Sequence, residues 1–107
     1  MINDILTASG VPYRETHFPR LLAKTCAVYL DDVEADGADD LTCIFTHNIT
    51  IELYAPKPDP TAEANIEAQL NSRGIKWSKQ TRYWLQSEQR YQTIYEFAYI
   101  EKISKGE

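Results

Sequence analysis

The stretch FTHNITIEL, residues 45–53, alternates between two kinds of side chain more regularly than the rest of the sequence. One set, separated by polar residues, is Phe45, His47, Ile49, Ile51 and Leu53. Since successive side chains of a β-strand point to opposite faces, this pattern predicts a strand with one buried face. The following APKPDP, residues 55–60, contains three of the five prolines, and proline cannot donate to a sheet, so the strand is expected to end there.

A helix over residues 60–72 is predicted directly after these prolines. Asp59 can cap its first turn, Pro60 suits its first position, and Glu63 favours its positive N-terminal end. Gly74 can adopt the left-handed conformation that ends a helix. The expected buried stripe consists of Ala62, Ile66 and Leu70.

The remaining elements have weaker signals. Ile2, Ile5 and Leu6 have helical spacing and predict a short N-terminal helix, and residues 12–24 read as an extended arm or loop. TCAVYLDD has the composition of a strand from Cys26 to about Asp31. IKWSKQTRYWL and RYQTIYEFAYIEKI predict two strands joined through QSEQ.

Together these elements predict a single α+β domain over residues 1–107, in the order α-β-β-α-β-β. Adjacent strands without an intervening helix favour antiparallel hairpins, so we expect a four-stranded, mostly antiparallel sheet with the second helix across one face. The last strand carries nonpolar area on both faces. One face holds Ile94, Ala98 and Ile100, and the other holds Tyr91, Tyr95, Phe97 and Tyr99. The second face therefore needs the N-terminal arm or another protein to cover it.

Composition restricts the function. The net charge of −5 and the sequence pI near 5.0 disfavour sequence-specific binding to nucleic acid. The sequence lacks a signal-peptide pattern and an apolar run of about 18 residues, so we expect synthesis in the cytoplasm and no membrane insertion. Cys26 and Cys43 are expected to be small buried thiols, and a strand-to-strand disulfide is the alternative.

The acidic stretch LDDVEADGADDL, residues 30–41, partly matches a calcium-binding loop if Asp32, Glu34 and Asp36 are its first ligands. The twelfth position of that pattern, which needs a bidentate glutamate, is Cys43. The flanking segments are also strand-like rather than helical. We therefore predict an acidic hairpin loop over residues 31–43 whose carboxylates stay in water, and no metal site.

No catalytic pattern is found. His17 and His47 are the only histidines, and neither has a partner at ligand spacing. His47 is expected to be structural because it shares the buried face with Phe45 and Ile49. Hydrolase, metalloprotease and phosphate-loop motifs are absent from the sequence, which favours a protein without catalytic residues or cofactors.

A basic and aromatic patch surrounds the predicted third strand. Such a patch on a sheet can stack single-stranded nucleic acid, but strand-typical aromatics beside cations, including a protein interface, fit an acidic protein better. An acidic loop and a basic strand in one domain favour a head-to-tail contact between copies, which makes a ring if it closes. The candidate contact residues are Asp31, Asp32, Glu34, Asp36, Asp39, Asp40, Lys76, Lys79, Arg82, Trp84 and Arg90.

The order of these features resembles the tail-completion proteins of long-tailed bacteriophages and prophages, also called tail terminator or head–tail joining proteins. The resemblance lies in NITIELYAPKPDP, residues 48–60, in EANIEAQLNSRGIKW with its helix exit, and in Tyr83 and Trp84 followed by SEQRYQTIYEF. GVPYRETHFP and CAVYLDD resemble the arm and first strand of the family.

The resemblance implies a virion structural protein that forms a homo-oligomeric ring, commonly a hexamer, at the head–tail junction. Its partners would be further copies of itself, the tail tube protein and the head–tail connector, and it would reside in the virion neck after assembly from the host cytoplasm. An acidic lumen would let DNA slide without sticking. The rival hypothesis is a stand-alone ferredoxin-like ligand-binding or regulatory domain with a pocket near Trp77, Tyr83 and Tyr95. A small hydrolase is a third hypothesis, but the sequence shows no nucleophile and base for it, and loss of activity in His47→Ala would be its test.

Overall fold

The computed structural model describes residues 1–17, 23–36 and 42–104. Two helices and six strands lie within these residues. In chain order they are α1 (Ile2–Ser9), β1 (Tyr13–Glu15), β2 (Cys26–Asp36), β3 (Thr42–Ala55), α2 (Pro60–Ser72), β4 (Trp77–Lys79), β5 (Tyr83–Leu85) and β6 (Arg90–Ser104).

All six strands belong to one mixed sheet. Its order is β1-β2-β3-β6-β4, and β5 also pairs with β6. β1 runs parallel to β2, whereas the other described pairs are antiparallel. The protein is therefore α+β with two helices, but the predicted four-stranded, mostly antiparallel sheet in the order α-β-β-α-β-β is wrong.

The first source of the difference is β1, which lies in the segment predicted to be an extended arm. Its pairing is flanked by two hydrogen bonds to β2, from the Ala27 amide to the Pro12 carbonyl and from the Thr16 amide to the Tyr29 carbonyl, both 2.8 Å. The ring of Tyr13 packs on that of Tyr29 with centroids 6.3 Å apart. A three-residue strand is too short to show a period of two, so only its distant partner reveals it.

The second source is the predicted third strand, which is divided into β4 and β5. Lys79 pairs with Tyr95, and Tyr83 pairs with Gln92. The three residues 80–82 between these pairs therefore lie opposite only two residues of β6, 93 and 94. The extra residue makes a bulge, which interrupts the ladder and re-aims the side chains of residues 80–82. The predicted hairpin connection is confirmed, since the turn QSEQ, residues 86–89, joins β5 to β6.

The helix α2 confirms its prediction at both ends. The Asp59 carboxylate accepts a hydrogen bond of 3.1 Å from the Ala62 amide, and Pro60 is the first helical residue. Gly74 has a φ of 69°, and the next amide, that of Ile75, donates to the Leu70 carbonyl over 3.0 Å. Both ends of the helix are thus determined by local sequence.

Both helices pack on one face of the sheet. The expected stripe of α2 is buried, together with the predicted apolar residues of α1, and the core also contains the inner faces of β2, β3 and β6. The fully buried large side chains are Ile5, Leu6, Ile49, Ile51, Ile66, Leu70 and Tyr95. Among the described residues no helix is long and apolar enough to span a membrane.

Both β2 and β3 extend into the range predicted to be an acidic loop. β2 continues to Asp36 and β3 begins at Thr42, so most of the predicted loop 31–43 is strand. Residues 37–41, which include Asp39 and Asp40, lie outside the described residues. Cys26 is fully buried, whereas Cys43 is only partly buried. Cys26 pairs with Tyr54, eleven residues along β3 from Cys43, a separation of about 36 Å that rules out a disulfide within the chain.

Candidate assembly site

Three strands continue past the helix-covered core and form a projection. The core ends at Tyr29, Ile49 and Phe97, all less than a tenth exposed. Residues 30–36 of β2, 42–48 of β3 and 98–104 of β6 lie beyond it, and we call them the arm. Seven residues of strand extend about 23 Å. The arm accounts for much of the molecule's longest dimension of 51 Å.

Both outer strands of the arm have an open edge. β1 pairs with β2 only up to Tyr29, and β4 pairs with β6 only from Phe97 backward. Within the described residues, 30–36 and 98–104 therefore have a strand neighbour on one side only, namely β3. Such edges present unpaired amide and carbonyl groups that can pair with another chain.

Exposed nonpolar side chains are concentrated on the same two strands. Seven large hydrophobic residues are exposed in the described part of the chain, and four of them lie on the outer strands of the arm. These four are Leu30, Val33, Ile100 and Ile103, exposed by 36%, 46%, 63% and 46%. Leu30 and Ile100 share the open face of the sheet, while Val33 and Ile103 share the face that carries the helices further down.

The two edges differ in charge. Residues 30–36 carry Asp31, Asp32, Glu34 and Asp36 without a cation, whereas residues 98–104 carry one glutamate and Lys102. Asp32 and Glu34 are exposed on the open face, and Glu34 accepts a hydrogen bond of 2.8 Å from the Asn48 side chain. Of the acidic residues predicted as contacts, the four up to Asp36 lie on this edge strand, and the side chain of Asp31 is turned to the opposite face.

A histidine ties the three strands of the arm together. Nδ1 of His47 lies 3.0 Å from the carboxylate of Asp31 on β2, and Nε2 lies 2.9 Å from Oε1 of Glu101 on β6. The imidazole stacks on Tyr99 with centroids 4.5 Å apart and an angle of 1°. His47 is on the predicted face of β3, but it contacts carboxylates rather than an apolar core.

The two carboxylates favour the charged form of this histidine. An ionised carboxylate only accepts hydrogen bonds, so both ring nitrogens can donate only when the ring is an imidazolium. The hydrogen bond to Glu101, followed by the one to Asp31, raises the pKa of His47 against the opposing effect of burial. Through these contacts one histidine connects β2, β3 and β6.

Two of the basic residues predicted for the interface, Lys79 and Arg82, have carboxylate partners within the chain. Nζ of Lys79 lies 3.0 Å from Glu63 and 2.8 Å from Glu67, and Nε of Arg82 lies 2.8 Å from Glu63. This network links α2 to the bulged segment between β4 and β5. Lys79 faces α2 because it pairs with Tyr95 on the helix-covered face, and the bulge that follows allows Arg82 to face α2 as well.

Glu63 is the buried centre of that network, with 5% of its surface exposed. Burial alone would raise the pKa of this carboxyl, but the hydrogen bonds from Arg82 and Lys79 outweigh burial, and the pKa is lowered. The Thr93 hydroxyl donates a longer bond of 3.4 Å to the same carboxylate. Glu63 is thus an ionised structural group.

The other predicted contact residues do not share one location. Lys76 is exposed just before β4, and Arg90 begins β6, with its Nε donating to the Glu88 carbonyl over 3.2 Å. Trp84 packs edge-on against Tyr91 with centroids 4.9 Å apart and is 38% exposed. Trp84 and Arg90 thus lie at the end of the sheet opposite the arm, whereas Lys76 directly precedes Trp77, which pairs with Phe97 at the base of the arm.

The rival ligand pocket is not formed by the three predicted aromatics. Trp77 packs edge-on against the fully buried Tyr95 on the helix-covered face. Tyr83 pairs with Gln92, whose side chain belongs to the open face, and is 63% exposed. Tyr83 instead borders an open cleft of about 340 Å³ with Gln80, Thr81, Gln92 and Ile94.

In the described residues, no group of three or more His, Cys, Asp or Glu side chains is arranged to hold a metal ion. Asp32 and Glu34, which match the start of a calcium loop, lie within the extended strand β2.

Sequence reasoning missed the open edges and the His47 cluster. Glu101 is 54 residues from His47, so no local spacing connects them. The available signal was parity, since Asp31, His47, Tyr99 and Glu101 fall on the same face once the three strands are aligned.

No protein-family model matches this chain, and no curated protein sequence is similar to it.

Proposed function

We propose that this protein is a structural subunit that assembles into a homo-oligomeric ring and serves as a tail-completion protein at the head–tail junction of a long-tailed bacteriophage or prophage. The observation that carries the proposal is the arm. It exposes two strand edges and four large hydrophobic side chains that the rest of the described chain does not cover.

Open strand edges of this kind favour self-association over a monomeric state. Monomeric proteins shorten, bend or cover their edge strands because flat open edges lead to association. Within the described residues both edges of the arm are open, and two different edges on one subunit allow each copy to contact two neighbours. Contacts of that heterologous type close into a ring when the rotation between copies is right.

The role in a phage tail rests on the sequence resemblance of residues 48–60 and of the last two strands to tail-completion proteins. The acidic character supports it, since the carboxylates of Asp32 and Glu34 would repel DNA passing through a lumen if they line it. The proposed partners are the tail tube protein and the head–tail connector, and the proposed location is the virion neck. Such a role needs no catalytic group and no cofactor.

The proposal is tested with the full chain, purified alone and mixed with tail tubes from a phage whose genome encodes it. We expect rings in negative-stain electron microscopy and caps at the tube ends, with the ring mass measured by light scattering. A chain that remains monomeric and never caps tubes would contradict the proposal. Tubes from an unrelated phage are the control for nonspecific adhesion.

A further inference from the structure

We infer that the ring contact is made by the arm itself, with residues 30–36 of one copy paired as a parallel β-ladder to residues 98–104 of the next. This inference rests on the proposed function only in that copies of the chain associate in a ring. It adds the surface, the strand direction and the register of the contact.

The direction follows from the sheet. β2 and β6 are both antiparallel to β3, so they run parallel to each other. Neighbouring copies in a closed ring are related by a rotation about one common axis, so every copy presents its strands to the next in the same direction. When β2 of one copy meets β6 of the next, the two strands therefore point the same way.

The backbone groups of the two edges are complementary. The Tyr29 carbonyl accepts a hydrogen bond from the Thr16 amide of the preceding segment, so it points to the outer edge of β2. Because the backbone groups of every second residue point to the same side of a strand, the amide and carbonyl of Val33 point to that edge too. The Ile94 carbonyl accepts a hydrogen bond from the Gln80 amide, so it points to the outer edge of β6. By the same alternation, the amides and carbonyls of Ala98, Ile100 and Lys102 point to that outer edge. Each edge thus offers an alternating row of donors and acceptors.

One register uses both edges completely. Each open edge spans seven residues, from 30 to 36 and from 98 to 104. Pairing residue 30 with residue 98 aligns the two segments end to end, and the side chains of each facing pair then share a face of the sheet. In this register Asp32 faces Ile100, and Glu34 faces Lys102 on the open face.

Charge selects this contact over the two symmetric ones. A contact of β2 with β2 would place the carboxylates of two acidic edges against each other, and like charges facing across strands are destabilising. A contact of β6 with β6 would leave the acidic edge uncovered. The mixed contact sets the acidic strand against the strand that carries Lys102.

The shape of the subunit favours a rotation between copies. The arm is three strands wide. The rest of the subunit, which we call the body, is wider because β1 pairs with β2 on one side and β4 pairs with β6 on the other. Pairing cannot continue into the bodies, because β1 and β4 already occupy both edges there. The bodies must diverge from the paired arms, and this angle between neighbours is what a closed ring requires.

Cysteine cross-linking of the full chain tests the contact. Asp32→Cys and Ile100→Cys are made separately and together in a Cys43→Ser background, in which the remaining Cys26 is fully buried. With a short bis-maleimide, the two single variants mixed are expected to give dimers, each alone to give none, and the double variant to give a ladder ending at the ring. Glu88→Cys, in the turn at the far end of β6, mixed with Ile100→Cys is the matched control and is expected to stay uncross-linked.

Cross-linking that departs from this pattern overturns the inference. Cross-linking of Ile100→Cys alone means that β6 pairs with itself, and cross-linking of Asp32→Cys alone means that β2 does. Rings without a ladder mean that another surface makes the contact, in which case the proposed tail role stands. A ladder from a protein that never caps tubes supports the strand contact and contradicts the tail role. A chain that stays monomeric in all conditions contradicts both.

Discussion

The imidazole of His47 lies 3.0 Å from the carboxylate of Asp31 and joins the central strand of the arm to its acidic outer strand. On its other side the ring contacts Glu101, so one side chain connects all three strands beyond the hydrophobic core. The rigidity of the arm should therefore depend on the charge of this residue.

Stability of the arm is predicted to fall as the pH rises. Hydrogen bonds to Glu101 and Asp31 raise the pKa of His47 in the folded state, so its contribution is complete below about pH 6.5, the value for an unfolded histidine, and is lost as the pH rises through the folded value. Amide hydrogen exchange of residues 98–104, corrected for the intrinsic rate, should become several-fold faster between about pH 6 and about pH 8.5. His47→Gln should remove this dependence. An unchanged pH profile in that variant would contradict the role of the cluster.

Loss of the Glu63 carboxylate is predicted to destabilise the whole domain. Glu63→Ala should lower the free energy of unfolding by about 2 kcal/mol, because it removes the partner of Lys79 and Arg82 next to the core. The value is at the low end for a buried pair, since both cations are one-third exposed and water can solvate them. Urea unfolding measures the change. Lys76→Ala, at an exposed position in the segment before β4, is the control and should stay within about 0.5 kcal/mol.

Assembly and folding are predicted to respond to different exposed residues. Ile100 and Tyr83 are both 63% exposed, but only Ile100 lies on the arm. Ile100→Ser should weaken self-association by about tenfold while changing the unfolding free energy by less than about 0.5 kcal/mol. Tyr83→Ser should leave both quantities nearly unchanged. Sedimentation velocity and thermal unfolding measure them, and equal effects of the two substitutions on association would refute a special role for the arm.

Exchange of charges across the proposed contact is predicted to show a compensating pattern. Glu34→Lys and Lys102→Glu should each weaken association by about fivefold, the size typical of an exposed pair, and the effect should shrink in high salt. The double variant should recover most of the loss, because it restores one charge of each sign. Analytical ultracentrifugation at two salt concentrations provides the measurement. Additive losses in the double variant would show that Glu34 and Lys102 do not face each other.

Several elements were predictable because their signals are local. The alternation of residues 45–53, the capping groups of α2 and the turn at residues 86–89 act over a few neighbouring residues. β1 was missed because its three residues form a strand only against β2. The division between β4 and β5 was missed because a bulge is defined by the count of residues on the opposite strand.

The sequence by itself determined the helices, the central strands and the excess of carboxylates, since propensity, capping and period are properties of short segments. Only the tertiary structure decided the use of the charged residues. It pairs Lys79 and Arg82 with Glu63 inside the domain, and it brings Asp31 and Glu101 to His47 from positions 16 and 54 residues away. It also decided which strand edges remain open, because an edge is free or covered according to the alignment of strands that are distant in the chain.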